Sequence, residues 1–233
     1  MNGIEQHAVL AALLAKYAVE GSGEEGREAF LASISRMGHE RGARMAARAL
    51  QNGDGLDIVS FNAYGEWRAQ PGEMEAALKR EDSGAVMVVT KCPWNNSWRK
   101  HGLIEYGKLY CEVVDDALAS GFHPAFHCDV PCTLSAGGAC CRFEWGIPMT
   151  AEEEQSLLSK KAALGDSCVR SFDYHTAHML YSVGGELVIR LGQAGAIALE
   201  QAKRAFSRLF GQEYLDTAQG AYLLADAATD KNA

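Results

Sequence analysis

Apolar residues recur at helical spacing from Ile4 to about Leu50, and the pattern is interrupted once, at Gly21-Ser22-Gly23. Ser22 followed by acidic Glu24 and Glu25 is a helix start, because a side-chain oxygen and negative charge both suit the unsatisfied N–H groups there. Two helices are therefore predicted, the second stopping at Asn52-Gly53-Asp54-Gly55. The texture then changes. A mixed stretch containing Trp67 gives way to Met74–Lys79, to Asp82-Ser83-Gly84 as a turn, and to the β-rich run Ala85–Thr90, which together predict a hairpin.

Cys92-Pro93 closes that strand. A short helix over 94–101 and a longer one over Ile104–Ser120 follow, separated by Gly102 and ended by Gly121. Short strands are predicted over 122–130, 131–136 and 139–147, with Gly137-Gly138 as the last turn. From Thr150 to about Ala225 the spacing is helical again: Thr150-Ala151-Glu152-Glu153 is a capping sequence, and Gly165-Asp166, Gly192 and Gly211 are breaks. Fraying is expected from about Thr229. The fold class is α/β in the α+β sense: a small antiparallel sheet in the middle of the chain covered by N-terminal and C-terminal helices. A single domain over 1–233 is expected, with N-terminal helices in 1–55, the sheet-containing core in 56–148 and C-terminal helices in 149–233.

Composition narrows the function classes. With 233 residues, 48% of them hydrophobic and 22% charged, the chain is able to bury a full core. A formal net charge of -8 and no basic run longer than a pair argue against nucleic acid, whose phosphates need clustered cations. The first residues carry an acidic Glu5 and no cationic leader, so they fail as a signal peptide and form an amphipathic helix instead. No apolar run approaches the roughly 20 residues needed to span a bilayer. Seven cysteines, an odd number, fit free thiols in a reducing cytoplasm better than a disulfide framework.

The cysteines concentrate between Cys92 and Trp145, and so does the candidate chemistry. Cys111 and Asp115 stand four apart on a predicted helix, which puts thiol and carboxylate on one face. They are either a nucleophile with its acid/base partner or a core thiol beside a solvated acid. Cys92 lies at a strand's open end, as a reactive group or as a buried thiol next to Trp94. Cys140 and Cys141 must point to opposite faces of a strand, and Cys141, Phe143 and Trp145 then share the inward face. His123, His127, Cys128 and Cys132 are residue types that ligate zinc. On an extended strand, however, the two imidazoles would stand about 13 Å apart, so no metal and no cofactor is assigned. Asp173, His175 and His178 fall on a C-terminal helix, the two histidines on one side.

Several ordered motifs, Thr90-Lys91-Cys92-Pro93-Trp94, Gly102-Leu103, Gly107–Cys111, Asp115-Asp116, Gly121-Phe122-His123-Pro124 and Gly137–Phe143, together make this segment resemble the L-2-amino-thiazoline-4-carboxylic acid hydrolase family. The resemblance implies a hydrolase that opens a small cyclic amidine or amide to a carbamoyl-cysteine. It implies Cys111, Asp115, Cys141 and Cys92 as catalytic residues; Trp94, Asp116, Arg99 and His178 are expected around the substrate. A small-molecule substrate, no membrane partner and a homodimer through the C-terminal helices complete the expectation. The glycine turn with Cys-x-Phe also resembles small-molecule-binding domains of the vinyl-reductase type, which gives a non-catalytic binding or sensory domain as the alternative.

Overall fold

A computed structural model describes residues 1–229; the fraying expected from about Thr229 concerns residues outside that range. In chain order the elements are α1 (Ile4–Gln51), α2 (Ile58–Ala63), β1 (Glu75–Glu81), β2 (Gly84–Lys91), α3 (Pro93–Lys100), α4 (Ile104–Cys111), α5 (Val114–Phe122), β3 (Asp129–Cys132) and β4 (Cys141–Glu144). There follow α6 (Ala151–Leu164), α7 (Phe172–His178), a π-helical turn (Met179–Val183), α8 (Gly184–Leu191), α9 (Gln193–Phe210) and α10 (Gln212–Thr229). The class is α+β, as the hydrophobic pattern predicts.

The predicted break in the N-terminal helical stretch is a kink within α1, at Gly23 with φ 60° and ψ -131°, a conformation open to glycine and costly for other residues. Thr150 caps α6 in a full capping box with Glu153. Gly165, Gly192 and Gly211 all have positive φ and end α6, α8 and α9. The β1–β2 hairpin is present, and all strand pairs are antiparallel in the order β1-β2-β4-β3.

Three expectations change. The helix over Ile104–Ser120 is two helices, because Glu112 and Val113 form a turn between α4 and α5. Cys111 and Asp115 therefore do not share one helical face. The strands over 122–130 and 131–136 reduce to β3, with residues 123–128 irregular and 133–138 a turn closed by Gly138 N–H donating to Thr133 O at 2.9 Å. The strand over 139–147 shortens to β4. A helix not foreseen, α2, starts at Asp57, whose carboxylate accepts from Ser60 N at 2.8 Å.

The chain packs as two compact units. One comprises residues 1–37, 93–111 and 170–233 and is entirely helical among the described residues. Its core includes Leu10, Leu14, Trp98, Met179, Leu187 and Phe206. The Trp98 indole donates to Ala8 O at 2.8 Å, and Gly107 leaves room for that ring where a Cβ would sit 2.2 Å from it. Buried Asp173 accepts from the backbone and side chain of Asn2, at 2.6 and 2.8 Å.

The other unit comprises residues 38–92 and 112–169 and carries the sheet. The C-terminal half of α1 crosses α5 at backbone contact. A Cβ on Gly42 would lie 2.3 Å from Leu118 O, and one on Gly121 would lie 2.5 Å from His39 Cα. Glycine at both positions thus lets the two helices approach until residues flanking the crossing, Arg41 on one and Asp115 on the other, feel each other's charge. The sheet's inner residues Phe143 and Trp145 pack against a core of Met45, Phe61, Phe122, Phe126 and Met149.

Candidate functional site

The sheet-bearing unit carries an open cavity of about 740 Å³, a size that suits a small organic ligand. Its apolar walls come from α1 (Met45), α2 (Phe61), the strands (Ala76, Met87, Val89, Phe143) and Trp145. Alternation along the strands explains the strand wall: Met87 pairs with Phe143, so both side chains fall on the same face of the sheet. Polar chemistry enters from the helices. Asp115 from α5, Arg41 from α1, Arg68 from the segment after α2, and Lys161 from α6 all line the space, together with the thiols of Cys128 and Cys168.

Asp115 is the electrostatic centre. Burial pushes its carboxyl up to about 7, against the opposing pull of the Arg41 charge. It keeps some accessible surface, as a residue lining a cavity must. The Arg41 guanidinium also faces a second carboxylate, that of Glu66. Arg41, Arg44 and Arg48 follow helical spacing along one face of α1 and converge on Glu66, which is 0% exposed. Arg44 grips both Glu66 oxygens, at 3.3 and 3.0 Å, Arg48 approaches at 3.1 Å and Arg41 at 3.8 Å. Burial works to raise the Glu66 carboxyl, but the Arg44 hydrogen bonds and the three positive charges outweigh it and hold the carboxyl below its ordinary range.

The other cations differ in their commitments. Arg68 pairs with Asp166 at 2.9 Å and donates to Gly165 O. The Lys161 ammonium has no hydrogen-bond or ion-pair partner among the described residues, and burial together with the Arg68 charge lowers its pKa. An uncommitted, partly buried cation on an apolar wall is a ready partner for a ligand carboxylate.

The eight residues singled out from sequence divide between the two units. Asp115, Asp116, Cys92 and Cys141 belong to the sheet-bearing unit, and three of them cluster: burial first, then the negative charges of Cys92 and Asp115, push the Cys141 thiol up to about 11, although Leu134 N–H donates to its sulfur at 3.3 Å. Asp115 lines the cavity. Asp116, exposed, bonds His127 Nδ1 at 3.2 Å and accepts from Cys128 N at 3.1 Å, which shapes the irregular 123–128 segment. Burial, aided by Asp115 and Asp116, raises the Cys128 thiol well above its ordinary range.

In the helical unit, Cys111 is half-buried at the end of α4, and Trp94 is buried with an edge contact to His7 and a tilted ring contact to Phe172. Arg99 donates to Asn95 Oδ1 at 3.3 Å, and His178 is buried and stacked on Tyr174. The cavity residues that the sequence reading does not single out are Glu66's partner Arg41, Lys161 and Cys168, while Cys128 figures there only as a zinc-ligand type. Only the arginines carried a readable signal, the spacing Arg41, Arg44, Arg48 on one helix face. The zinc-like histidines do not sit on a strand as expected: His123 Nδ1 accepts from Ala125 N at 3.2 Å and His127 turns to Asp116. Among the described residues no group of three or more His, Cys, Asp and Glu side chains is placed to hold a metal ion, and no helix is long and apolar enough to cross a membrane.

An α+β protein with a titrating carboxyl in an apolar cavity has the makings of an acid/base catalyst for a small molecule. The family model for L-2-amino-thiazoline-4-carboxylic acid hydrolase matches residues 1–145, and the chain belongs to that family. The matched stretch contains Arg41, Glu66, Cys92, Cys111, Asp115 and Cys141, whereas Lys161 and the rest of α6 lie beyond it. Comparison with curated proteins and comparison with solved structures each gave no match.

Proposed function

We propose that this hydrolase-family protein opens a small cyclic amidine bearing a carboxylate, with the aminothiazoline carboxylate as type substrate and Asp115 as the proton-transfer group. The observation that carries the reading is an acid titrating at about 7 on the wall of a cavity, since a group with its pKa near ambient pH both accepts and returns a proton readily.

In its ionised form Asp115 takes a proton from water as the oxygen bonds to the amidine carbon between nitrogen and sulfur and the carbon–nitrogen π pair moves onto the ring nitrogen. The carbon–sulfur bond of the tetrahedral adduct then breaks as the adduct's hydroxyl becomes the carbonyl and its proton passes to the ring nitrogen, the leaving sulfur takes the proton back from Asp115, and the product is a carbamoyl-cysteine. Water fits the nucleophile's role better than Cys141 or Cys128, whose thiols stay protonated near neutrality. Lys161 receives the substrate carboxylate. Cys111, the last residue of the Gly107–Cys111 motif, has no step in this scheme.

Product analysis with the aminothiazoline carboxylate tests the reading. Wild type is expected to form carbamoyl-cysteine, and Cys111→Ser to form it too if water is the nucleophile. A wild type that binds the compound without product would favour the second reading, a non-catalytic binding domain, for which the apolar walls of Met45, Phe61, Met87 and Trp145 speak. Lys161→Met is expected to raise KM by roughly 10-fold or more with little change in kcat, because it removes binding shared by ground and transition states; an equal fall in kcat would place Lys161 in the chemistry instead. A homodimer through the C-terminal helices is proposed from the exposed Ile189, Ile197 and Leu209 on α8 and α9.

A further inference from the structure

The β3–β4 connection holds a second cluster of reactive groups that the hydrolytic scheme does not use. Cys132, the last residue of β3, and Cys140, the residue before β4, bring their sulfurs to 3.8 Å. Both are half-buried free thiols. The turn between them is fixed by its own hydrogen bonds. Gly138 N–H donates to Thr133 O at 2.9 Å, Ala136 N–H donates to Thr133 Oγ1 at 3.1 Å, and Ser135 Oγ donates to the same hydroxyl at 3.1 Å. Gly138 is part of that closure, since a Cβ there would lie 2.9 Å from Thr133 O. The pairing of Cys132 with Arg142 across the two strands fixes the end of the loop in the same way.

We propose that Cys132 and Cys140 form an oxidisable dithiol that closes to an intramolecular disulfide in the presence of a peroxide. Sulfurs already in contact need only side-chain rotation to reach bonding distance, and a turn held by backbone bonds keeps them together, so the internal reaction outruns attack by a second molecule. One thiolate attacks a peroxide oxygen, the O–O bond breaks, and a sulfenic acid and one water result. The second thiolate attacks that sulfur, the S–O bond breaks, and a second water leaves; two thiols are oxidised and one peroxide is reduced. Burial raises the Cys132 thiol's pKa, so closure quickens as pH rises. The crosslink spans the turn whose Leu134 N–H donates to Cys141, and it therefore locks a neighbour of the Asp115 cluster in place.

Full-length protein treated with a slight excess of hydrogen peroxide, quenched and mapped by mass spectrometry is the test. The expected result is a mass loss of about 2 Da, a fall from seven free thiols to five, and one linked peptide pair joining Cys132 to Cys140. Cys132→Ser and Cys140→Ser, each checked for native circular dichroism, should each abolish the link and leave six thiols before treatment. A link between Cys92 and Cys141, an intermolecular dimer, sulfinic acid without any crosslink, or no thiol loss at all would each overturn the proposal. As a control against damage to the fold, Cys168→Ser should leave the link intact.

Discussion

Asp115→Asn is expected to lower kcat by roughly 10²- to 10⁴-fold, the usual contribution of a positioned acid/base, while leaving KM nearly unchanged. The same substitution is expected to stabilise the protein at alkaline pH. The folded state holds the Asp115 proton up to about 7 against an ordinary 3.8, so between those values the folded chain binds more protons than the unfolded one, and stability falls as pH rises. At 1.36 kcal/mol per pH unit the interval caps the cost at about 4 kcal/mol. Asparagine has no proton to lose. Urea denaturation of the two proteins should therefore coincide below pH 4 and diverge to at most that amount at pH 8, with the variant the more stable. An active and equally stable variant would remove Asp115 from both roles. A gain in stability bought by a loss in turnover is what a strained functional group looks like.

Glu66→Gln carries the second large expectation, a loss of about 3–5 kcal/mol in stability. Glutamine fills the same space and leaves the guanidinium groups of Arg41, Arg44 and Arg48 facing one another with their shared carboxylate gone. The wild-type contribution has the opposite pH sense to that of Asp115. A carboxyl held below its ordinary range stabilises above the unfolded pKa and loses that contribution as pH falls through the folded one. The wild type should thus shed its advantage over Glu66→Gln in acid, and a denaturation midpoint unchanged at neutral pH would show that the arginines find other partners. The arginine stripe also serves the site. Arg41 reaches Asp115 with its charge, but burial outweighs that pull, which is why the carboxyl titrates near neutrality instead of being held as a permanent anion.

Much of the fold was legible because its signals are local. The Thr150–Glu153 capping box, the positive-φ glycines at 165, 192 and 211, and the alternation that aims Phe143 and Trp145 inward all act within a few residues. The breaks that went unseen have no local signature. Glu112 and Val113 contain no glycine or proline, yet α4 ends there; the segment after Phe122 looks extended in sequence but folds so that Cys128 N–H meets Asp116, a contact that exists only once α5 is in place. The site divides the same way. Asp115 and its neighbours Cys92 and Cys141 stood out as chemically capable residues, whereas Arg41 and Lys161 join Asp115 from segments far away in the chain. The close approach that brings Arg41 near depends on Gly42 and Gly121, whose meaning becomes clear only when the two helices cross.

A carbon-detected NMR titration of the Asp115 side-chain carboxyl between pH 3 and 9, assigned by comparison with Asp115→Asn, measures its protonation directly. A midpoint at about 7 is the predicted result, matched by a limb at the same pH in the rate profile for the aminothiazoline carboxylate. A midpoint near 4, with the carboxylate already ionised throughout the range of activity, would contradict the account and leave the cavity without its acid/base group.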